Sequence, residues 1–221
     1  MTDPSTPRPG SAGASGFRIG FVPGVTLTKW RRVWAERFPR TPLEVVEVAV
    51  ADQRRLLVED VVDACFVRLP IDRTGLHAIP LYEEVPVVVA VKEHPIAALD
   101  ELTLADLVGE PLVDPDAAAP FDLVAFGQGV LRVPHSIARS HSRRDLVYRP
   151  VADAEPTTIA LAWLIDNPNP LIEEFIGIVR GRTVNSSRTT QSRAKTASAK
   201  PKADAKPAKR PAKATPRRRG R

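Results

Sequence analysis

Few residues in this chain are of types that do chemistry, and their spacing decides which chemistry is open to them. Thr26 and Thr28 lie where a first apolar strand gives way to a helix. One of them is expected to cap that helix, and the free N–H groups at a helix start also attract an anion such as a carboxylate. Arg68 follows a third apolar strand, residues 61–67. Its guanidinium can grip a carboxylate through two parallel hydrogen bonds, or stand as an exposed or bridging arginine. Gln128 sits between Gly127 and Gly129 in a tight turn, where the glycines serve backbone geometry. His94, in a turn before Pro95, reads as structural or exposed.

Catalysis has little support in these patterns. His135, Ser136, Ser140, His141 and Ser142 gather near one short helix. A hydrolase needs a serine held by a histidine and an orienting acid, and no GxSxG elbow occurs. The spacing of His135 and His141 is poor for a metal on one helix, and no carboxylate completes a site, so neither metal nor cofactor is expected. The stretch RIGFVPG (18–24) lacks the GxGxxG spacing of a dinucleotide loop. The adjacent pairs Glu83/Glu84 and Glu173/Glu174 read as solvated carboxylates that aid solubility. Cys65, inside an apolar strand, reads as inert core. A single cysteine also forbids a disulfide framework within the chain.

The elements that must position these groups alternate along residues 17–180. Residues 17–22 form an apolar strand, and Pro23 and Gly24 a turn. A helix follows to about residue 38, with Trp30, Val33, Trp34 and Phe38 on one stripe. Strands are expected at 43–48 and 61–67, with a helix capped by Asp52 between them. This β-α-β-α-β order implies a parallel sheet with helices on both faces. A long strand over 81–91 comes next, then a short helix at 102–107 with Thr103 as its cap. Residues 111–113 form a short strand, 121–126 a helical remnant, 136–141 a short helix, and 147–151 and 157–164 strands. A closing helix at 170–179 buries Leu171, Ile172, Phe175, Ile176 and Val179.

That order, and eight stretches within it, resemble one family. FRIGFVPG (17–24), WAERFPRTPLEVVEV (34–48), LLVEDVVDACFVRLP (56–70), LYEEVPVVVAVKEHPIA (81–97), LTLADLVGEPLV (102–113), GQGVLRVPHSIA (127–138), VYRPVADAEPTTIALAW (147–163) and PLIEEFIGIVR (170–180) follow in family order. The body is similar to the effector-binding domain of LysR-type transcriptional regulators. The resemblance implies an α/β, periplasmic-binding-protein-like (type 2) two-lobed fold. Lobe I would take residues of about 17–75 and 150–180, and lobe II about 80–148. It departs from the family in two ways: no winged helix-turn-helix precedes residue 17, and lobe II is shortened between residues 116 and 127. The resemblance implies a cleft between the lobes that takes a small organic effector, a carboxylate or an aromatic, with Thr26, Thr28, Arg68 and Gln128 as ligand-binding residues. It also implies a homodimer through the first-lobe helix and strand, with Trp30, Trp34 and residues 45–48 near that surface or in the core.

Charge divides the chain more sharply than composition does. The whole carries +6, yet residues 182–221 hold 14 Lys/Arg and one acid, a balance of +13, while residues 1–181 hold 18 against 25, a balance of −7. A basic globular body is therefore excluded. Residues 1–16 read as a disordered leader, and 181–221, rich in Lys, Arg, Ala and Pro, as a disordered tail. The tail resembles those of linker histones and basic bacterial nucleoid proteins. Its cations, among them Lys195, Lys200, Lys202, Lys206, Lys209, Arg210, Lys213, Arg217, Arg218 and Arg219, would neutralise phosphates and release counterions. The tail holds no aromatic residue to stack on bases, so contact with DNA would be non-specific. With no apolar run near membrane length and no secretory start, a cytoplasmic, nucleoid-associated protein without membrane contact is expected. The function expected is non-enzymatic: a ligand-sensing or interaction module with an indirect role in transcription. The alternative is a small-molecule binding protein whose tail is passive.

Overall fold

The computed structural model describes residues 16–182, and the expectations made for residues 1–15 and 183–221 lie outside them. Among the described residues eight strands form two sheets. β1 (Phe17–Phe21), β2 (Leu43–Glu47), β3 (Ala64–Arg68), β4 (Leu76–Glu84) and β8 (Thr157–Leu164) make a five-stranded sheet in the order β2-β1-β3-β8-β4. β5 (Pro86–Val91), β6 (Leu131–Pro134) and β7 (Leu146–Pro150) make a three-stranded sheet in the order β6-β5-β7. The chain passes between the sheets at Val85 and again over residues 151–156.

The parallel sheet holds only for β2, β1 and β3, which are joined through helices. β8 runs antiparallel to both β3 and β4, and the three-stranded sheet is wholly antiparallel. The continuous strand expected over 81–91 is two strands broken at Val85. Each half pairs in a different sheet, so the break carries the chain from one to the other. The strand expected at 111–113 reduces to a single bridge between Leu112 and Val130.

Strand alternation explains the layers. On β3, Ala64 and Phe66 face one side of the larger sheet, and Cys65 and Val67 the other. The first side is covered by α1 (Thr28–Arg37) and α5 (Leu171–Val179), packing Trp34 and Phe175 against Phe17 and Phe66. The second is covered by α2 (Gln53–Val58) through Leu57. Helices thus lie on both faces, as the apolar stripes imply. Trp30 stacks on Phe66 with ring centres 4.5 Å apart, and Trp34 is buried and stacks on Phe17 at 5.0 Å. Trp34 belongs to the core, and Trp30 is partly buried against it. The smaller sheet packs Val87, Val89, Leu131 and Val133 against α3 (Pro120–Ala125) and α4 (His135–Ser140). Its opposite face meets the turns around Ile96, Leu102 and Leu107.

The caps differ from expectation. Leu27 occupies the cap position of α1, and neither Thr26 nor Thr28 makes a side-chain capping bond; Thr28 is exposed at the first turn. Asp52 stands at the cap of α2 but makes no capping bond, its carboxylate instead accepting from Arg55. Thr103 does anchor its short turn, its N–H and Oγ1 donating to Asp106 at 2.8 and 2.7 Å. His94 is structural: its Nδ1 accepts the Ile96 amide, and its Nε2 lies 3.2 Å from Glu110.

Candidate functional site

The strand polarity of the larger sheet sets where a site can form. In open α/β sheets ligands settle beyond the carboxyl ends of parallel strands, where loops diverge and main-chain groups are left to point outward. Here those ends are Pro23 after β1, residues 49–51 after β2, and Arg68 closing β3. All of them line one cleft of about 630 Å³. The facing wall comes from the smaller sheet and its loops: residues 115–122, Val133 and Pro134, Ile137, and residues 141–143. The volume suits a small organic molecule. Most of the surface is apolar, with Val50 on one wall and Phe121 and Ile137 on the other.

Arg68 is the polar centre of this cleft, and three contacts hold it. Gln53 clamps its backbone: the Arg68 N–H donates to Gln53 Oε1, and Gln53 Nε2 donates to the Arg68 carbonyl, both at 2.9 Å. The guanidinium then forks onto Glu84, Nε to Oε2 at 2.7 Å and Nη2 to Oε1 at 3.2 Å. Nη2 also donates to the Pro23 carbonyl at 2.9 Å. Nη1 has no hydrogen-bond partner among the described residues, and no buried side-chain nitrogen or oxygen among them is left unpaired, so Nη1 is open to the cleft.

Glu84 corrects the sequence reading. It lies at the end of β4 with its side chain 3% exposed, whereas Glu83 beside it is exposed. Adjacent carboxylates on a strand point to opposite sides, and Glu84 points into the junction between the sheets. There it also accepts from Ser136 Oγ of α4 and, at 3.2 Å, from Thr157 Oγ1 of β8. One carboxylate so ties both chain crossings and α4 to Arg68. The turn at Gly24 closes against the same serine: a Cβ there would collide with Ser136 Oγ, and its φ of +92° is one that glycine alone adopts readily.

The residues expected to bind ligand are not brought together. Arg68 lines the cleft, but its fork is engaged by the protein's own Glu84 and is not left for a ligand carboxylate. Thr26 lines a separate, shallower depression with Trp30, Tyr82 and Arg139. Thr28 is exposed on α1 and does not line the cleft. Gln128 is exposed in the turn after α3 and does not line it either. Gly129 next to it serves packing, since a Cβ there would collide with the Pro111 carbonyl.

Two further cleft residues, Arg143 and Phe121, carry no sequence signal of their own. Arg143 stands at the mouth, its Nη1 on Asp122 and its Nε and Nη2 on Asp145 at 3.1 and 2.9 Å. The hydrogen bond from Arg143 holds the Asp145 carboxyl below the usual carboxylate range. His141 stacks on Phe121 with ring centres 4.3 Å apart. Its Nδ1 lies 3.1 Å from Ser140 Oγ, yet Ser140 donates to the Ile137 carbonyl, and no carboxylate is paired with His141 among the described residues. That is not a nucleophile–base–acid array. Burial pushes the Cys65 thiol up to about 12, so it is no nucleophile at neutral pH. Among the described residues no helix is long and apolar enough to cross a membrane.

Residues 13–121 match the family described as the LysR substrate binding domain. Curated relatives include the Hca operon transcriptional activator HcaR of Escherichia coli (strain K12), 26% identical, and the HTH-type transcriptional regulator AlsR of Bacillus subtilis (strain 168), 27% identical. These alignments cover 74% and 72% of this chain and 67% and 64% of those regulators. The chain therefore spans about two thirds of the length of the curated relatives it matches. Among solved structures, the BenM effector binding domain with its effector benzoate has a TM-score of 0.65 at 23% identity, covering 79% of this chain and 95% of that one. The reduced OxyR regulatory domain from Pseudomonas aeruginosa has a TM-score of 0.61 at 22% identity, covering 76% and 95%. The fold is thus the mixed α/β, type 2 periplasmic-binding-protein-like fold of those effector-binding domains. The curated relatives are named as regulators of transcription and not as enzymes. This chain is similar to LysR-type transcriptional regulators, and its residues 13–121 match their substrate binding domain.

Proposed function

We propose that the protein is a non-enzymatic ligand-sensing module in which a small, largely apolar organic molecule seats in the cleft between the sheets and hydrogen-bonds Arg68 Nη1. The observation that carries this reading is the cleft itself: about 630 Å³, at the carboxyl ends of three parallel strands, with one uncommitted guanidinium nitrogen in an apolar lining. BenM's effector is benzoate, which supports a molecule of that size. The test is a thermal-shift and calorimetric screen of the full chain against small aromatic compounds. A hit is expected to raise Tm in a concentration-dependent way, and the rise is expected to fall sharply in Arg68→Lys. A flat response across aromatic acids, amides and alcohols overturns the reading.

Signal output through loose DNA contact is the second part of the proposal, and the charge split supports it. A segment at +13 joined to a body at −7 binds polyanions by releasing counterions, with steep salt dependence and no sequence preference. Retention by DNA fragments of unrelated sequence is expected to fall steeply between low and moderate salt. It is also expected to weaken, with a shallower salt dependence, when Lys209, Arg210, Lys213, Arg217, Arg218 and Arg219, six of the segment's fourteen cations, are replaced by Gln. Self-association would place two such segments on one DNA and raise apparent affinity. Thr26, Thr28 and Gln128 stay candidates for ligand contact only through motion, since the geometry keeps them away from the cleft centre. If the DNA experiment shows no retention, the passive-tail reading replaces this one.

A further inference from the structure

The geometry points to a selectivity built into this cleft, an inference that rests on the ligand reading above: the site prefers an uncharged molecule carrying a hydrogen-bond acceptor to the matching carboxylate, and Glu84 sets that preference. An arginine in a cleft usually signals an anionic ligand. Arg68 is different because its charge is already matched. Nε and Nη2 lie on Glu84 at 2.7 and 3.2 Å, and the side chains of Arg68 and Glu84 are 10% and 3% exposed. A carboxylate taking the open Nη1 would put a second anion on one guanidinium, beside a carboxylate that cannot turn to water.

The rest of the lining does not offset this. All three side-chain nitrogens of Arg143 are engaged, by Asp122 and Asp145. Asp116 lines the cleft, and its carboxylate has no cationic partner among the described residues. Asp116 and Asp122 line the cavity with Arg68 and Arg143, and just behind them stand Glu84, Asp145 and the Lys92 ammonium that acts on Asp145, so four carboxylates face three cations. His141, stacked on Phe121, is the other titratable group at the wall. An entering anion meets net negative charge, which at the effective dielectric of a partly open site lowers affinity about tenfold. An amide, ketone or hydroxyl oxygen accepts from Nη1 without that repulsion, while an apolar body fills the space beside Val50, Phe121 and Ile137.

The experiment uses the full chain and matched pairs that differ only in the charged group: benzamide and benzoate, cinnamamide and cinnamate, titrated by calorimetry. In the wild type the amide of each pair is expected to bind about tenfold more tightly than the acid. Glu84→Gln and Asp116→Asn are each expected to narrow that ratio to about threefold or less, Glu84→Gln the more. Asp116 sits on an exposed loop, so Asp116→Asn leaves the fold intact and decides the matter if Glu84→Gln does not fold. Acids binding as tightly as amides in the wild type, or a ratio unmoved in the variants that fold, overturn the selectivity while leaving the ligand reading standing. Binding of neither member of any pair by the wild type removes the ligand reading and the selectivity with it.

Discussion

Two arginines on neighbouring strands of one sheet carry the same chemistry to different ends. Arg18, early in β1, and Arg68, at the end of β3, each fork onto a buried carboxylate. Arg18 leaves nothing over: Nε and Nη2 lie on Asp63 at 3.2 and 3.1 Å, Nη2 reaches Asp60 at 3.2 Å, and Nη1 donates to the Asp60 and Val61 carbonyls. Asn169 and Asn167 complete the cluster by donating to Asp63, so α5 is tied to the amino ends of the strands. Arg68 leaves Nη1 open over a cavity. The difference is strand polarity. At the amino ends, loops fold back and fill the space. At the carboxyl ends they diverge, and a donor is left for something else. An arginine–carboxylate pair is therefore not evidence of a site in either direction; the unfilled donor is.

The largest effect expected from breaking this comparison is on stability. Arg68→Leu strands Glu84 in a junction with only two hydroxyl donors. Breaking a buried pair from one side costs about 3–5 kcal/mol, measured as the shift in urea midpoint. Arg18→Leu is expected to cost about 1–2 kcal/mol, because the Arg18 side chain is 32% exposed and water can reach what it leaves behind. The double variant Arg68→Leu/Glu84→Leu is expected to recover much of the loss, since the uncompensated charge is gone. If Arg18→Leu proves the more damaging, the buried pair at the cleft is not the stronger tie.

A smaller effect separates the two ends through glycine. Gly24→Ala would drive a Cβ into Ser136 Oγ and force a positive φ on alanine. The expected cost is about 2–3 kcal/mol, combining backbone strain with a clash against a held serine. Gly75, which opens β4 at the other end of the sheet, has a φ of +75° and nothing within 4 Å of where a Cβ would stand. Gly75→Ala is expected to cost only the strain, about 1 kcal/mol. Thermal denaturation of both variants reads the difference, and only Gly24→Ala is expected also to weaken binding of a cleft ligand.

Much of the fold is legible in the sequence, because apolar periodicity and Pro/Gly punctuation are local signals. The Trp30/Val33/Trp34/Phe38 stripe, the alternation on β3 and the strand at 157–164 all lie where the pattern puts them. The break at Val85 has only Pro86 beside it as a local signal, and the division itself comes from pairing in two sheets. Of the site, Arg68 can be found from its place after an apolar strand. Its partner cannot: Glu84 differs from Glu83 only in which side of the strand it faces. Arg143, Phe121 and Val50 reach the cleft from loops and short helices that sequence periodicity does not orient. Thr26, Thr28 and Gln128 illustrate the converse, since residue type and position near a helix start or a glycine turn say nothing about which way the turn faces.

Cys65 reports on the strand that joins the two ends. It lies on β3 between Asp63, which holds Arg18, and Arg68 itself, and Gly20 of β1 packs against its Sγ. Burial raises its thiol to about 12, so at pH 8 only about one molecule in ten thousand carries the reactive thiolate, and the shielding slows attack further. Labelling by a thiol reagent is expected to wait for opening of the sheet. Acceleration in Arg68→Leu beyond that in Arg18→Leu would show that β3 opens from its cleft end. Equal acceleration would show that the strand opens as one unit.

The smallest expected effect is at the cleft mouth, and it depends on pH. Asp145 is held below its usual range, chiefly by the hydrogen bond from Arg143. A carboxylate whose folded pKa is depressed stabilises the fold above its ordinary value, near 3.9, and that contribution is lost as pH falls through the lower folded value. The difference in urea midpoint between wild type and Arg143→Gln is therefore expected to be constant above about pH 5 and to close as pH drops below about 4. Both side chains are largely exposed, so the gap is small and shrinks further in high salt. The buried pair of Arg68 and Glu84 is expected to show no comparable salt dependence. A gap at Arg143 that persists at low pH and in high salt would mean that the residue acts through packing and not through charge. The mouth of the cleft would then be built like the Arg18 end of the sheet, closed by contacts and not held by an ion pair that solvent can reach.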